Sequence, residues 1–355
     1  MPQTKSGRTT IKDVAEEAGV SISTVSLALN GKGYVSPETR ARIQSAAKQL
    51  GYVARPAARQ LAKQETGNIG FVLRADHFAR SEPFYTHVFL GTEFEADRHD
   101  LYVLLATISE DYTPGEQTPR FLSQRNVDGV LVAGKIDVAF LNEVEAADLP
   151  MVLIDFEHDH HPSVAIDNQS GARSAVEHLL DLEHKRIAFL GADMQHPGLQ
   201  ARLDGYRLAL SDAGLQADPS LIITKTDGNP DRETGKILGE RLMAMDPRPT
   251  AVFCVNDALA LGTLDSARKN DIAVPESLSI VGFDDVAGTR VSVPSLTTVR
   301  VFKEQLGELA FRYLTELMGG TVDTSDRYRR GSHNIKVPTE LVIRDSSARP
   351  ARGQQ

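Results

Sequence analysis

Between Thr10 and Asn30 the chain reads TIKDVAEEAGVSISTVSLALN, and the spacing of its apolar, capping and glycine residues allows little except two short helices joined by a tight turn. Thr10 stands three residues before Asp13 and just ahead of an apolar run, the arrangement of a helix start. Val14, Ala15 and Ala18 then recur on one face. Gly19 ends that helix, because a residue without Cβ takes the left-handed conformation that reverses the chain. Val20 fills the gap between the helices, and Ser21 is placed to cap a second helix running to Asn30, with Val25 and Leu29 inward. The outward side of that helix, Ser21, Ile22, Ser23, Thr24, Ser26 and Asn30, is short and mostly hydroxyl or amide. Such side chains let a backbone come close to a DNA groove. Periodicity alone leaves one alternative, a capped helical hairpin within an alanine-rich bundle.

The pattern continues with a polar turn and then Ser36-Pro37-Glu38, where Ser36 caps and proline fits the first helical position. A third helix is expected to run to Leu50, with Ile43, Ala46, Ala47 and Leu50 on one face and Gly51 as its stop. The next segment, Arg55 to Lys63, has Pro56 at its start and too little apolar surface to hold a helix alone. It reads as a hinge, with a plain interdomain linker as the alternative.

Charge is distributed to match. The formal net charge of the 355 residues is -9, yet residues 1–66 hold ten Lys or Arg against five Asp or Glu, and the remainder holds 29 against 43. A basic head on an acidic body is expected when one domain alone meets phosphates. The single cysteine, Cys254, excludes a disulfide framework within the chain and suits a reducing compartment. Met1 to Arg8 is polar, and no apolar stretch approaches the roughly 20 residues of a membrane span, so a cytoplasmic protein is expected.

From Asn68 onward short apolar runs alternate with helix-like segments: NIGFVL, LYVLLAT, DGVLVAG, MVLID, RIAFLGA, LIITKT, AVFCVND and LSIVGFDD. Alternation of this kind predicts parallel sheets flanked by helices. A break near Ser163 to Asn168, followed by an amphipathic helix from Gly171 to Leu182, suggests two consecutive α/β lobes. Polar residues should gather at the strand C-termini, where the cleft of an open parallel sheet lies. No nucleophile elbow, P-loop or zinc spacing is present. The run Glu157-His158-Asp159-His160-His161 reads as a solvated polar loop rather than a metal site, and no cofactor is expected.

The segment from Thr10 resembles the DNA-binding headpiece of the lactose repressor/galactose repressor (LacI/GalR) family. The likeness is carried by Asp13-Val14-Ala15, Ala18-Gly19-Val20-Ser21, Thr24-Val25-Ser26 and Leu29-Asn30, continues through Val35 to Arg40 and Leu50-Gly51-Tyr52, and extends to the ending VPTELVIRDSS. The resemblance implies a small all-α helix-turn-helix headpiece (9–54), a hinge (55–66) and an α/β two-lobed body of the periplasmic binding protein type 1 kind (67–345). Its first lobe would span about 67–166 and 297–328, and its second about 167–296 and 333–345. The chain would cross between lobes near Ile166-Asp167, near Pro294 to Thr297, and between Tyr328 and His333.

By the same resemblance Ile11 (through its backbone), Ser21, Thr24, Ser26, Asn30, Ser36, Thr39, Tyr52 and Arg55 contact phosphates, while Ile22, Ser23 and Leu27 read bases. Arg59 and Leu61 lie in the hinge, with Leu61 as the apolar wedge in the minor groove. Leu27 departs from well-known members, which carry arginine or histidine there; a leucine touches a thymine methyl instead of guanine O6 and N7. On periodicity it can also turn toward the core. In the body, Arg202, Asp284 and Asn256 align with the family's effector-binding residues, Asp155 points in from the first lobe, and Phe84 with Tyr85 supplies an aromatic wall. Carboxylates that accept, an arginine and an amide that donate, and an aromatic face suit a hydroxyl-rich ligand. There is no Trp in the chain, and Thr226 to Asn229 lacks the aromatic that many sugar- or purine-binding members place there, so the effector's identity does not transfer.

These readings combine into an expectation of an effector-responsive DNA-binding regulator, a repressor acting as a homodimer on pseudo-palindromic operator DNA, and not an enzyme. The ending Ser346 to Gln355 has no leucine heptad and contains a proline, from which a dimer is expected to be the limit. The rival reading is a ligand-binding module whose headpiece contacts proteins.

Overall fold

A computed structural model describes residues 9–29, 34–52, 65–75, 84–158, 161–225, 229–319 and 334–351. The chain forms two compact units, residues 1–67 and 68–355. Asn30, Arg55, Arg59 and Leu61, with most of the expected hinge, lie outside the described residues.

In the first unit α1 spans Ile11–Ala18, α2 Ile22–Leu29 and α3 Pro37–Gln49. The Asp13 carboxylate reaches back to accept from both the amide and the hydroxyl of Thr10, each at 2.7 Å. Gly19 sits at φ 62°, the left-handed region, and ends α1 as its sequence position requires. Ser21 Oγ accepts from Thr24 N at 3.1 Å, and Ser36 Oγ accepts from Thr39 N at 3.3 Å. Val14, Ala15, Ala18, Val25, Ala28, Ile43, Ala46 and Ala47 form the core. Leu29 is half-buried and packs against this core, and Ala28, which the sequence reading did not name, is buried in it. A methyl side chain there lets α3 approach, and Arg40 Nη1 donates to Ala28 O at 2.7 Å.

The second unit holds two six-stranded sheets. The first contains β1 (Asn68–Arg74), β2 (Tyr102–Ile108), β3 (Gly129–Ala133), β4 (Met151–Ile154), β5 (Ser163–Ile166) and β11 (Asn334–Val337), in the order β11-β5-β4-β3-β1-β2. In the second are β6 (Ile187–Ala192), β7 (Ile222–Lys225), β8 (Ala251–Cys254), β9 (Ser279–Asp284), β10 (Thr297–Arg300) and β12 (Glu340–Val342), in the order β12-β10-β9-β8-β6-β7. All pairings are parallel except β10 with β12. The helices are α4 (Phe84–Arg98), α5 (Val138–Ala146), α6 (Asn168–Asp181), α7 (Pro197–Asp212), α8 (Arg232–Met243), α9 (Asp257–Lys269) and α10 (Lys303–Met318), with short helical turns at Arg120–Ser123 and Gly288–Val291. Among the described residues no helix is long and apolar enough to cross a membrane.

Each central strand is apolar on both faces, because helices cover both. Ile69, Phe71 and Leu73 of β1 join the cluster that holds Val88 of α4 and Leu306, Ala310 and Phe311 of α10, whereas Val72 joins Phe140, Leu141 and Val144 of α5 on the opposite face. Helices α4 and α10 meet at bare glycines. A Cβ on Gly91 would lie 2.0 Å from Glu304 O, and one on Gly307 would lie 2.0 Å from Val88 O.

All eight apolar runs named from sequence are strands. The lobe boundaries, however, need correcting at two places. β10 pairs with β9 in the second sheet, so the chain leaves the second lobe after Arg300, not at Pro294 to Thr297. Likewise β11 pairs with β5 in the first sheet, so Asn334–Val337 belongs to the first lobe and the last crossing falls between Val337 and Glu340. Polar composition hid both strands. The hydroxyls of Thr297 and Thr298 in β10 are satisfied inside, Thr298 Oγ1 donating to Asp257 at 2.5 Å and Thr297 Oγ1 to Arg344 O at 3.2 Å.

Candidate functional site

The headpiece presents its second helix as the sequence pattern requires. Val25 and Ala28 are buried, while Ser21, Ile22, Ser23 and Leu27 are exposed, Ile22 at 44% and Leu27 at 41%. Leu27 therefore faces solvent, which removes the core placement that periodicity left open. Thr24 and Ser26 are half-buried on the flank of that surface, as are Ile11, Ser36, Thr39 and Tyr52 elsewhere on the unit. Ser21 Oγ sits 2.7 Å from Ser23 Oγ and 2.8 Å from Thr24 Oγ1, so the first turn of α2 carries a preassembled hydroxyl cluster. Two exposed aliphatic side chains ringed by hydroxyls suit a groove floor with methyl groups.

In the body, Phe84, Tyr85, Asp155, Arg202, Asn256 and Asp284 all line one cavity of about 130 Å³. They come from both lobes: α4 and the end of β4 on one side, α7 and the ends of β8 and β9 on the other. Strand-end placement follows from parallel topology, in which successive C-termini open onto the same edge. Asp155 and Asp284 hold positive φ angles of 57° and 114°. Non-glycine residues rarely adopt such angles, and they concentrate at binding sites.

Arg202 is the cavity's organiser. Its Nε donates to Asn168 Oδ1 at 2.8 Å, Nη1 donates to Val255 O at 2.7 Å, and its Cζ stands 3.6 Å above the Phe283 ring. Nη1 is also 3.2 Å from Asp284 Oδ1. That pair is close but poorly aligned, so the buried Oδ1 accepts no hydrogen bond. Burial raises the Asp284 pKa above the ordinary carboxylate range, with Arg202 and Lys303 opposing. Asp155 accepts from the Tyr85 hydroxyl at 3.1 Å. Burial pushes its pKa up to about 7 against the pull of Arg202 and the Tyr85 bond, with Asp284 adding to the rise.

Asn256 reaches the cavity with both polar atoms engaged by protein. Its Oδ1 accepts from Leu259 N at 3.0 Å, capping α9, and its Nδ2 donates to Pro230 O at 2.7 Å. It shapes the wall more than it offers free donors. The second aspartate of GFDD turns away from the cavity: Asp285 is gripped by Arg300 Nε at 2.8 Å, Arg290 Nη2 at 3.3 Å and Arg344, and although its burial acts the other way these guanidinium groups hold it well below the usual range.

Sequence reasoning missed several wall residues, namely Asp193, His196, Leu199, Asp231, Arg232 and Val286. Asp193 directly follows β6 and Asp231 is the cap of α8, so strand-end position was the signal available for both. Asn168 and Phe283, which orient Arg202, carried no such signal. His158 and His161 stack with ring centroids 5.3 Å apart, and His161 Nε2 faces Glu145 Oε1 at 3.6 Å; Asp159 and His160 lie outside the described residues. Among the described residues no group of three or more His, Cys, Asp or Glu is placed to hold a metal ion.

Residues 10–54 match the family model described as bacterial regulatory proteins, lacI family, and residues 176–347 match the periplasmic binding protein-like domain. The HTH-type transcriptional regulator DegA of Bacillus subtilis is 33% identical over 350 residues, covering 96% of this chain and 98% of DegA. The transcriptional repressor PurR of Vibrio cholerae is 32% identical over 341 residues, covering 95% of this chain and 97% of PurR. Among solved structures, the lac repressor dimer bound to operator and the anti-inducer ONPF superposes with a TM-score of 0.80 at 27% identity, covering 96% of this chain and all of that one. A complex of the transcriptional regulator CelR with cellobiose gives 0.70 at 28%, with the same coverage. With a helix-turn-helix in residues 10–54, a two-lobed body around a cavity and relatives aligned over nearly their full length, the chain belongs to the LacI/GalR family of bacterial transcriptional regulators.

Proposed function

We propose that this DNA-binding regulator is a repressor whose operator affinity is set by a small hydroxylated effector held in the body's cavity. One observation carries the reading: six side chains from five separate stretches of sequence and from both lobes converge on a single cavity at the strand C-termini. Effector contacts from both lobes favour one relative placement of the lobes over others, and that difference is what can be transmitted to DNA affinity. The relatives' descriptions support the same reading, since CelR is bound to cellobiose and the lac repressor dimer to operator. Described relatives are regulators rather than enzymes, and they do not favour a headpiece devoted to protein contacts.

The regulator acts as a homodimer in the cytoplasm. Val291 and Val293 stand 80% and 75% exposed on the second lobe, and the edge strand β2 exposes Tyr102 at 66% on the first. Apolar groups left in solvent on both lobes fit a partner that runs along the body. Operator titration across a salt series tests the DNA arm. Phosphate contacts release counterions, so affinity should fall steeply with salt for every duplex while discrimination between duplexes persists. Salt-independent binding, or none, would overturn the reading.

A further inference from the structure

Lys303 opens α10, where the aligned peptide dipoles disfavour a cation, and Phe302 before it supplies no capping bond. That placement costs the helix stability, and the groups that compensate it lie in the other lobe. α10 is fixed in the first lobe by Leu306, Ala310 and Phe311 and by the backbone contact at Gly307. The Lys303 ammonium, however, donates to the main-chain oxygen of Asp284, at the end of β9 in the second lobe. The same charge acts on Asp257, which is 0% exposed at the start of α9 and accepts from Val286 N at 2.9 Å and from Thr298 Oγ1 at 2.5 Å. Burial and the charge of Asp284 push the Asp257 pKa well above the ordinary carboxylate range, and Lys303 acts against them together with those two bonds. Burial in turn lowers the pKa of Lys303, with Asp284, Asp257 and Asp285 opposing.

We propose that Lys303 is a positioning residue that restrains the two lobes, its first-lobe ammonium seated in a second-lobe socket formed by Asp284 and the fully buried Asp257. Within that lobe Asp285 has Arg290, Arg300 and Arg344, and Asp284 has Arg202, as counter-charges. For Asp257 the charge comes from across the lobes. A turn of the lobes that draws Lys303 away leaves a buried ammonium and a buried carboxylate without each other, which costs far more than parting an exposed pair. A second lysine makes the comparison within the same molecule. Lys135, after β3, donates across the lobes to Gln195 O at 3.5 Å, but that bond is long and open to solvent, so water replaces it cheaply. Lys303 also lies just past the crossing that follows Arg300, so its restraint acts at the pivot and limits the directions in which the lobes can turn. Its effect on DNA rests on the reading of the body as the switch; the restraint itself does not.

The test uses the full-length protein with spin labels at Asn142→Cys on α5 and Ser211→Cys on α7, exposed positions on the two lobes, diluted into unlabelled protein so that only pairs within one chain report. Native Cys254 is buried, which raises its thiol pKa to about 12, so it escapes labelling. Lys303→Met keeps the length of the side chain and removes its charge. The expected result is a shifted or broadened lobe-to-lobe distance distribution, with effector-free operator affinity changed by about five-fold or more. Asp257→Asn should reproduce the shift, and the double variant should add nothing to either single change, as for two groups that act as a pair. Lys135→Met should match the parent. Thermal melting checks that each variant is folded, and the two lysine variants decide the matter if Asp257→Asn is not. A parent-like distribution in Lys303→Met overturns the proposal, as do additive effects of Lys303→Met and Asp257→Asn or an equal shift in Lys135→Met. An altered distribution with unaltered operator affinity upholds the restraint and overturns instead the reading that lobe placement sets DNA affinity.

Discussion

Asp284 stands 3.2 Å from the Arg202 guanidinium, yet its Oδ1 accepts no hydrogen bond. A buried pair held close without a directed bond is available for a ligand to complete, at little cost in reorganisation. Asp284→Asn keeps the shape and removes the charge. Effector affinity is expected to fall at least ten-fold, about 1.4 kcal/mol, while effector-free operator affinity stays within two- or three-fold, because the DNA-reading surface belongs to a separate compact unit. Calorimetry with operator titration measures both; a normal effector response in the variant would remove Asp284 from the site.

Asp155 ties stability to pH. Its folded-state pKa of about 7 lies above the 3.8 of an unburied aspartate, so the native protein holds this proton more tightly than the unfolded chain does. The stabilising contribution is therefore present below about pH 4 and is lost as pH rises toward 7. Asp155→Asn cannot ionise and escapes the loss. The variant should melt higher than the parent at pH 8, by more than the roughly 1.4 kcal/mol that one pKa unit represents, and should converge with it near pH 4. Melting curves at the two pH values decide the matter, and an equal offset at both would show that Asp155 does not titrate in this range.

Gly307 and Gly91 allow α4 and α10 to touch backbone to backbone. Adding a methyl group at Gly307 places it 2.0 Å from Val88 O, a main-chain atom that cannot rotate away. Gly307→Ala should destabilise the body by about 1–3 kcal/mol, the usual range for overpacking, despite alanine's better helix propensity. Denaturant unfolding measures it; an unchanged or raised midpoint would mean that the helices separate freely.

The headpiece was the most legible part of the chain, because caps, a turn glycine and an apolar face act locally and leave their marks at fixed spacing. Strands buried on both faces were legible as continuous apolar runs. β10 and β11 were not: Thr297-Thr298 and Asn334 to Lys336 look like loop, and only neighbouring strands, Asp257 among their partners, make them sheet. The same limit applies at the cavity. Arg202, Asp284 and Asp155 could be named from family likeness and strand-end position, but Asn168 and Phe283, which fix the arginine's direction, are set by tertiary packing across α6, α7 and β9. That Asp285 would be caged by three arginines while its neighbour faced the cavity was likewise invisible, since the partners come from sequence positions as distant as Arg344.

Leu27 faces solvent on the second helix of the headpiece, with Val25 and Ala28 holding its other face in the core. Rotation of α2 is restricted by those two buried side chains and by the bond from Arg40 to Ala28 O, so whatever replaces Leu27 must also project outward. In a DNA groove a leucine can touch a thymine methyl, whereas an arginine can form a bidentate pair with guanine O6 and N7, so the two side chains would favour different bases. Leu27→Arg should therefore shift the preferred base at one position of each half-site by about 1–3 kcal/mol, leaving the other positions unchanged, with little effect on stability because the position is exposed. Selection from randomised operators reads the change directly, and an identical consensus from both proteins would place Leu27 away from the groove.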